Sequence, residues 1–119
     1  MVFQYTDMNS KAAFCGLERK GNLIIATELA ENTGASVTNS CDYIATQYCT
    51  QNDIPFGDLI FVEHYDQRSY EGRGNSEDFS LVTFRQGERF GKPHFTNPEW
   101  KPLRRDEYQD LLDSHSLVS

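Results

Sequence analysis

The sequence predicts an α+β fold, a single domain in which two main helices pack on a mixed sheet of three to five strands. Short runs rich in apolar and β-branched residues, at 23–27 (LIIAT) and 58–65 (DLIFVEHY), are typical of strands. Apolar residues recur at steps of three and four over 37–49 and again over 108–112, as on one face of a helix. A chain of 119 residues is the size of one domain, so we expect residues 1–119 to fold together.

The centre of the domain is predicted at residues 22–52, as a strand, a polar loop and an amphipathic helix. The loop at 31–36 is small and polar, and it contains one glycine. Ser36 or Thr38 would cap the helix, because either hydroxyl accepts a hydrogen bond from a free backbone N–H. Pro55 prevents the helix from continuing. The apolar face of this helix comprises Val37, Cys41, Ile44, Ala45, Tyr48 and Cys49.

The N-terminal segment, residues 1–21, is predicted to be a strand or a hairpin. Residues 1–5 suit a short strand, and residues 12–17 could pair with 23–29 through a turn rich in Arg, Lys, Gly and Asn. A short helix beginning at Ser10 is the alternative, and the residue pattern does not separate the two.

Beyond the central helix, the strand at 58–65 should run parallel to the strand at 23–27, through a right-handed crossover, if both lie in one sheet. Residues 66–78 are polar and charged and carry two glycines, which predicts a flexible loop. Residues 79–85 (FSLVTFR) favour a further strand, antiparallel to the one before it.

The last third of the chain is predicted to contain weaker elements. A turn at 86–88 would lead into an edge strand at 89–95, which a glycine and a proline interrupt. Residues 97–100 suit a single helical turn, and a final helix is expected at 103–114, before a frayed tail at 115–119. The apolar face of that helix comprises Tyr108, Leu111 and Leu112.

Composition excludes some classes of function. The net charge of −7, from 18 acidic and 11 basic residues, argues against binding nucleic acid through its phosphates. An acidic decoy that imitates nucleic acid is an alternative. No apolar run suits a membrane span and the N-terminus has no signal-peptide pattern, so we expect a cytoplasmic protein without a membrane partner. The cysteines at 15, 41 and 49 are expected to be buried, reduced thiols.

Four blocks of this sequence, between Asn22 and Leu112, resemble small uncharacterised bacterial proteins that carry similar blocks in the same order. The blocks are IATELAENTGASVTN, LIFVEHY, FSLVTF and EWKPLRRDEYQDLL. The resemblance implies a single compact domain, and it implies no activity.

The first candidate site is the polar loop and the start of the central helix. Free N–H groups at a helix N-terminus, next to hydroxyl and amide side chains, suit a phosphate or a carboxylate. An ordinary capped helix explains the same residues, because the loop has one glycine and no lysine and matches no nucleotide-binding pattern. The candidate ligand-binding residues are Asn32, Thr33, Gly34, Ser36, Thr38 and Asn39.

The second candidate is His64, a possible general base at the end of a strand. Adjacent strand residues point to opposite faces, so Glu63 and His64 cannot enter one site by simple projection. The companion of His64 would be Glu28, Asp66, Arg85 or a residue of the following loop. A histidine packed in the core is the alternative.

The third candidate is a basic and aromatic patch that could hold an anionic ligand or an acidic partner. A solvated hairpin with charges of both signs is its alternative. The patch would comprise Arg68, Tyr70, Arg73, Arg85, Arg89 and Lys92. A related cluster would close the core or mark a partner surface, and it comprises Phe90, Phe95, Trp100 and Tyr108.

Two functions follow as hypotheses. The first is a binding or regulatory module without catalysis, which recognises a small anionic ligand or a protein partner. The second is a small hydrolase-like enzyme that uses His64 with Glu28 or Glu63. No cofactor is expected, and the scattered His64, His94 and His115 predict no metal site. A homodimer is expected if two helices leave part of the sheet uncovered.

Overall fold

The computed structural model describes residues 1–28, 37–55, 59–66 and 77–116. Over these residues the chain forms six strands and two helices. In chain order the elements are β1 (Val2–Thr6), β2 (Ala12–Lys20), β3 (Leu23–Glu28), α1 (Val37–Asn52), β4 (Ile60–Asp66), β5 (Glu77–Arg89), β6 (Lys92–Leu103) and α2 (Arg105–Ser116).

The six strands form one mixed sheet in the order β1-β2-β3-β4-β5-β6. Every neighbouring pair is antiparallel except β3 and β4, which are parallel and are joined through α1. The parallel pairing brings Leu23 beside Ile60 and Thr27 beside His64. The predicted α+β architecture, with two main helices on a mixed sheet, is therefore confirmed, and the two central strands are immediate neighbours.

The predicted number of strands was too small, because the N-terminal segment forms two full strands. The short helix from Ser10, the alternative to a strand or hairpin, does not form. Ser10 has φ of 62° in a tight turn, where the Asp7 carboxylate accepts hydrogen bonds from the backbone N–H groups of Asn9 and Lys11, both at 2.9 Å. This turn joins β1 to β2, and β2 then buries alternate residues as a strand does.

The hairpin between β5 and β6 turns later than the sequence suggested. Gly87 lies inside β5 opposite His94, and the turn is made by Phe90 and Gly91, whose φ values are 55° and 76°. Two successive residues with positive φ suit a two-residue hairpin turn, because its twist matches that of the strands. Glycine tolerates this conformation, and Phe90 is an unusual residue to adopt it.

The single helical turn expected at 97–100 was also wrong, since these residues lie within β6. The strand accommodates Asn97, at φ of 50°, next to a shift of register opposite Thr83 and Arg85. A bulge of this kind lets an edge strand bend without ending. The prolines of β6 are tolerated because β6 is an edge strand, where a missing N–H removes no ladder bond.

The helix α1 ends as its sequence predicts, just before Pro55. Asp53 takes φ of 56°, and the N–H of Ile54 donates to the carbonyl of Cys49 at 3.0 Å. This is a Schellman-type end, which satisfies a carbonyl that the helix itself leaves unpaired. Ile54 is buried, so the end of the helix is also held by an apolar contact.

One face of the sheet packs on α1 and forms the larger core. All six strands contribute to it, and the predicted apolar residues of α1 that the structure describes are buried there. The buried members are Phe3, Tyr5, Ala13, Cys15, Leu17, Ile24, Ala26, Cys41, Ile44, Ala45, Tyr48, Cys49, Ile54, Phe61, Val82 and Phe95.

The three cysteines are free and buried within this core. Burial raises the pKa of the Cys15 thiol to about 12 and that of Cys49 to about 11, because a buried thiolate loses its hydration. Burial also raises the pKa of Cys41. The prediction of buried, reduced thiols is confirmed, and none of them suits nucleophilic chemistry.

The opposite face of the sheet packs on α2 and forms a smaller core. Its fully buried residues are Leu23, Ile25, Val62 and Phe79, and the predicted face of α2 (Tyr108, Leu111 and Leu112) packs against them.

Both edge strands are tied to α1 by side chains of neighbouring helix residues. The Gln47 side chain accepts from the backbone N–H of Thr6 at 2.8 Å and donates to the Thr6 carbonyl at 2.7 Å. Thr46 Oγ1 accepts from the backbone N–H of Phe95, in β6, at 3.0 Å. The sheet therefore curls around α1 until its first and last strands both reach the helix.

Candidate functional site

A cavity of about 680 Å³ lies between the C-terminal half of α1 and the tip of the β5–β6 hairpin. Its volume is within the range of small-molecule sites. The helix side of the cavity mixes apolar and polar side chains, with Asp53 among the polar ones, and the hairpin side brings cations and an aromatic ring. Residues that line it include Tyr43, Cys49, Ile54, Arg89, Phe90, Lys92, Pro93 and His94.

Arg89 and His94 line this cavity, and both side chains approach the carboxylate of Asp42. Asp42 Oδ2 lies 3.9 Å from Arg89 Nη2 and 4.0 Å from His94 Nε2, which is too long for a hydrogen bond in either case. Arg89 stacks over the ring of Tyr43, with its guanidinium carbon 4.9 Å from the ring centroid, and its side chain is 35% exposed. The Arg89 guanidinium is thus positioned by the Tyr43 ring, and its ion pair with Asp42 is long.

His94 is the buried member of this group. The residue is 7% exposed, its ring meets Tyr43 edge to face at 5.8 Å, and its Nε2 has no hydrogen-bond partner among the described residues. Burial lowers the pKa of His94 below 6.5, the nearby Arg89 guanidinium lowers it further, and Asp42 opposes both effects. His94 is therefore an imidazole that the folded protein keeps neutral at pH 7.

Phe90 sits at the hairpin tip beside the cavity and is 95% exposed. A bulky residue with positive φ costs about 1 to 3 kcal/mol, and Phe90 recovers little of that cost by burial. Strain of this kind at the mouth of a cavity is characteristic of binding sites.

The structure does not describe most of the ligand-binding residues predicted at the start of α1. Asn32, Thr33, Gly34 and Ser36 lie outside the described residues, as do the side chains of Thr38 and Asn39. Arg68, Tyr70 and Arg73 of the predicted basic patch lie outside them as well. Of the rest of that patch, Arg85 is exposed on β5, whereas Arg89 and Lys92 line the cavity.

The structure places His64 on the α2 side of the sheet, within a chain of polar contacts. Thr27 Oγ1 lies 3.1 Å from His64 Nδ1, and Glu77 Oε2 lies 2.8 Å from His64 Nε2. The other oxygen of Glu77 accepts from Arg105 at the start of α2. The imidazole also stacks on Phe79, with ring centroids 4.7 Å apart.

The carboxylate that the structure brings to His64 is Glu77, from the segment after β4 in which a companion was expected, and not Glu63. Glu63 is buried on the opposite side of β4, as strand alternation requires, and the structure does not bring it to His64. The side chain of Glu28 lies outside the described residues. Glu77 belongs to the segment predicted as a flexible loop, but it begins β5 and faces His64.

The three histidines do not meet. His94 lies at the α1 cavity, and His115, on α2, lies 2.7 Å from the carbonyl of Leu111 through its Nδ1. In the part of the chain that the structure describes, no three His, Cys, Asp or Glu side chains form a group that could hold a metal ion.

Of the four aromatic residues noted in the last third of the chain, two lie in the cores and two at the surface. Phe95 is buried and Tyr108 stacks on Phe79 at 3.7 Å, so these two help to close the cores. Phe90 and Trp100 are exposed, Trp100 to 38%.

In comparisons with known proteins, no family model, curated protein or solved structure matches the chain. Among the described helices, neither has the length and apolar character that a membrane span requires.

The sequence pointed to some of these residues but did not group them. Asp42 and Tyr43 were overlooked because they flank the apolar stripe of α1, and Thr27 because it ends a strand without a recognisable motif. One feature of the sequence could have placed Thr27 beside His64. Thr27 and His64 lie near the carboxyl ends of two parallel strands, and parallel strands joined by one crossover place these ends side by side.

Replacing His94 should change how stability depends on pH. The folded-state pKa of His94 lies below its ordinary 6.5, so between these values the unfolded chain binds a proton that the folded protein does not. The free energy of unfolding should therefore fall as the pH is lowered from about 6.5 through the folded pKa, and level off below it. Urea unfolding at several pH values should show this component in the wild type and not in His94→Gln.

A Thr83→Val protein, which changes an exposed residue and keeps all three histidines, is the matched control and should retain the wild-type slope. Equal slopes for wild type and His94→Gln would show that His94 is not held neutral by the fold.

Proposed function

We propose that this protein is a binding module for small anionic ligands with an apolar or aromatic body, held in the cavity between α1 and the β5–β6 hairpin. The observation that carries the proposal is the state of Arg89. Its guanidinium stacks on Tyr43 at the cavity wall, and it makes no hydrogen bond with a described residue, since Asp42 is 3.9 Å away.

The chemistry of the cavity walls matches such a ligand. An arginine held flat on an aromatic ring presents paired N–H donors to a carboxylate or phosphate, and it loses little side-chain entropy on binding. Lys92 adds a second cation at the same wall. Cys49, Ile54 and Pro93 supply apolar contact for the body of the ligand.

The net negative charge of the protein affects how it can bind an anionic ligand. With a net charge of −7, the protein repels anions at long range, so attraction must come from cations close to the ligand. Salt screens the long-range repulsion between the protein and an anion more than it screens the close contact between the anion and a cationic side chain. Binding at this cavity therefore depends on the two cations of the hairpin, Arg89 and Lys92.

Other parts of the earlier hypotheses stay predictions. A protein partner at Trp100 is one, and a homodimer over a part of the sheet that the helices leave uncovered is another. The cytoplasmic location and the acidic-decoy alternative also stay predictions.

Removing the guanidinium should weaken binding of an anionic probe. We expect 4-phenylbutyrate to bind Arg89→Gln about tenfold or more weakly than wild type, because a hydrogen bond to a charged group contributes about 1.5 to 3 kcal/mol. Isothermal titration calorimetry measures the affinity. The matched control is Arg85→Gln, which removes an exposed arginine of the same strand outside the cavity.

The uncharged analogue 4-phenylbutan-1-ol separates charge from apolar contact. It should bind weakly, and equally to wild type and Arg89→Gln. If 4-phenylbutyrate binds both proteins with the same affinity, or binds neither, the proposed anion site is refuted.

Changing Phe90 should separate stability from binding. We expect Phe90→Asn to raise the free energy of unfolding by about 1 kcal/mol, because asparagine adopts positive φ more readily and the exposed ring makes little core contact. The same change should weaken 4-phenylbutyrate binding, since it removes an aromatic wall of the cavity. Thermal unfolding and calorimetry on one preparation test both expectations, and a variant that is stabilised without any loss of affinity would show that Phe90 has no part in binding.

A further inference from the structure

A second polar site lies on the other side of the sheet, away from the cavity. Thr27 of β3, His64 of β4, Glu77 of β5 and Arg105 of α2 form one unbroken chain of hydrogen bonds. Four separate elements converge on it, at the carboxyl ends of the parallel strands β3 and β4. Open sheets with parallel strands place their ligands at such ends.

The contacts determine which nitrogen of His64 carries its proton. An ionised carboxylate only accepts hydrogen bonds, so the Nε2 facing Glu77 is the N–H of the ring. In the neutral imidazole Nδ1 then has a free lone pair, and the Thr27 hydroxyl donates to it at 3.1 Å. The proton of a hydroxyl thus points at a base that a carboxylate orients, and Arg105 holds the carboxylate.

The exposure of these groups differs along the chain of contacts. The Glu77 side chain is 9% exposed, whereas His64 is 15% exposed and Thr27 is partly exposed. Phe79 packs flat on the imidazole, and Tyr108 packs on Phe79, so the ring is held in place. The Thr27 hydroxyl therefore lies on a partly exposed residue next to a positioned imidazole, as a nucleophile requires.

We infer that Thr27, His64 and Glu77 form a catalytic site that hydrolyses small uncharged esters. The roles match those of a hydroxyl–imidazole–carboxylate triad, with the two ring nitrogens exchanged relative to the chymotrypsin arrangement. An uncharged substrate fits because Glu77, the carboxylate at the His64 ring, is already paired with Arg105, so this guanidinium is occupied and does not favour an anion.

The reaction has two balanced steps. Thr27 Oγ1 attacks the carbonyl carbon of the ester and its proton passes to His64 Nδ1. The bond to the alcohol oxygen then breaks, and the alcohol leaves with that proton. A water molecule next gives a proton to Nδ1 and attacks the acyl-threonine. The acid is released, and the proton returns from Nδ1 to Thr27. Glu77 stabilises the imidazolium in both steps.

Hydrolysis of p-nitrophenyl acetate tests this directly. We expect Thr27→Val, which keeps the shape of the side chain but lacks the hydroxyl, to lose about 100-fold or more in kcat/KM. Thr27→Ser should retain activity, and Glu77→Gln should lose activity while it keeps Thr27. Thr83→Val changes an exposed threonine outside the site and should match wild type. Wild-type activity no greater than that of Thr27→Val would overturn the inference.

A covalent probe tests the wild-type protein without any substitution. Diisopropyl fluorophosphate should form a bond from its phosphorus to Thr27 Oγ1 with loss of fluoride, and peptide mass spectrometry should place the added mass on Thr27. No adduct, or an adduct on another residue, would overturn the assignment of the nucleophile. Calorimetric binding of 4-phenylbutyrate to Thr27→Val should stay unchanged, which separates this site from the cavity and shows that the variant is folded.

Discussion

The structure depends on the burial of one helix by a sheet that curls around it. The amphipathic helix α1 presents its apolar stripe to residues from all six strands. A helix in the middle of a sheet face leaves both sheet edges open, and open edges invite pairing with other chains. Here Gln47 hydrogen-bonds both backbone groups of Thr6, and Thr46 accepts from the N–H of Phe95. Two successive helix residues therefore occupy backbone groups on opposite edges of the sheet.

This closure explains where the cavity lies. Phe95 is hydrogen-bonded to Thr46, and the hairpin tip beyond it lies beside the end of α1. The space between the two becomes the cavity, with Arg89 and Phe90 carried on the hairpin and Tyr43 on the helix.

The sequence predicts those parts of the fold well in which a local pattern determines the structure of an element. The stripe on α1 and the face of α2 follow from the spacing of apolar residues, and the parallel pairing of β3 with β4 follows from the helix that connects them. The hairpin turn was misplaced because Gly87 is a strong local turn signal and Phe90 is none, yet the pairing of β5 with β6 places Phe90 at the turn. Tertiary pairing outweighed local preference there.

The sites were harder to predict, because each joins residues that are distant in sequence. Glu77 looked like part of a flexible loop, and only the strand register shows that β5 brings it to His64. His94 was considered as a metal ligand, whereas its neighbours are a carboxylate, a guanidinium and a phenol ring. His64 and His94 were both noticed in the sequence, but their partners were not identified individually, since partners depend on strand order.

Amide hydrogen exchange at the two sheet edges tests the closure around α1 most directly. On an ordinary edge strand, N–H groups that point outward exchange rapidly. The outward amides of Thr6 and Phe95 should instead be protected as strongly as those of the central strands, whereas the amide of Gln4, two residues along the same edge, should exchange freely. Rapid exchange at Thr6 and Phe95, equal to that of Gln4, would contradict a sheet whose two edges are held by one helix.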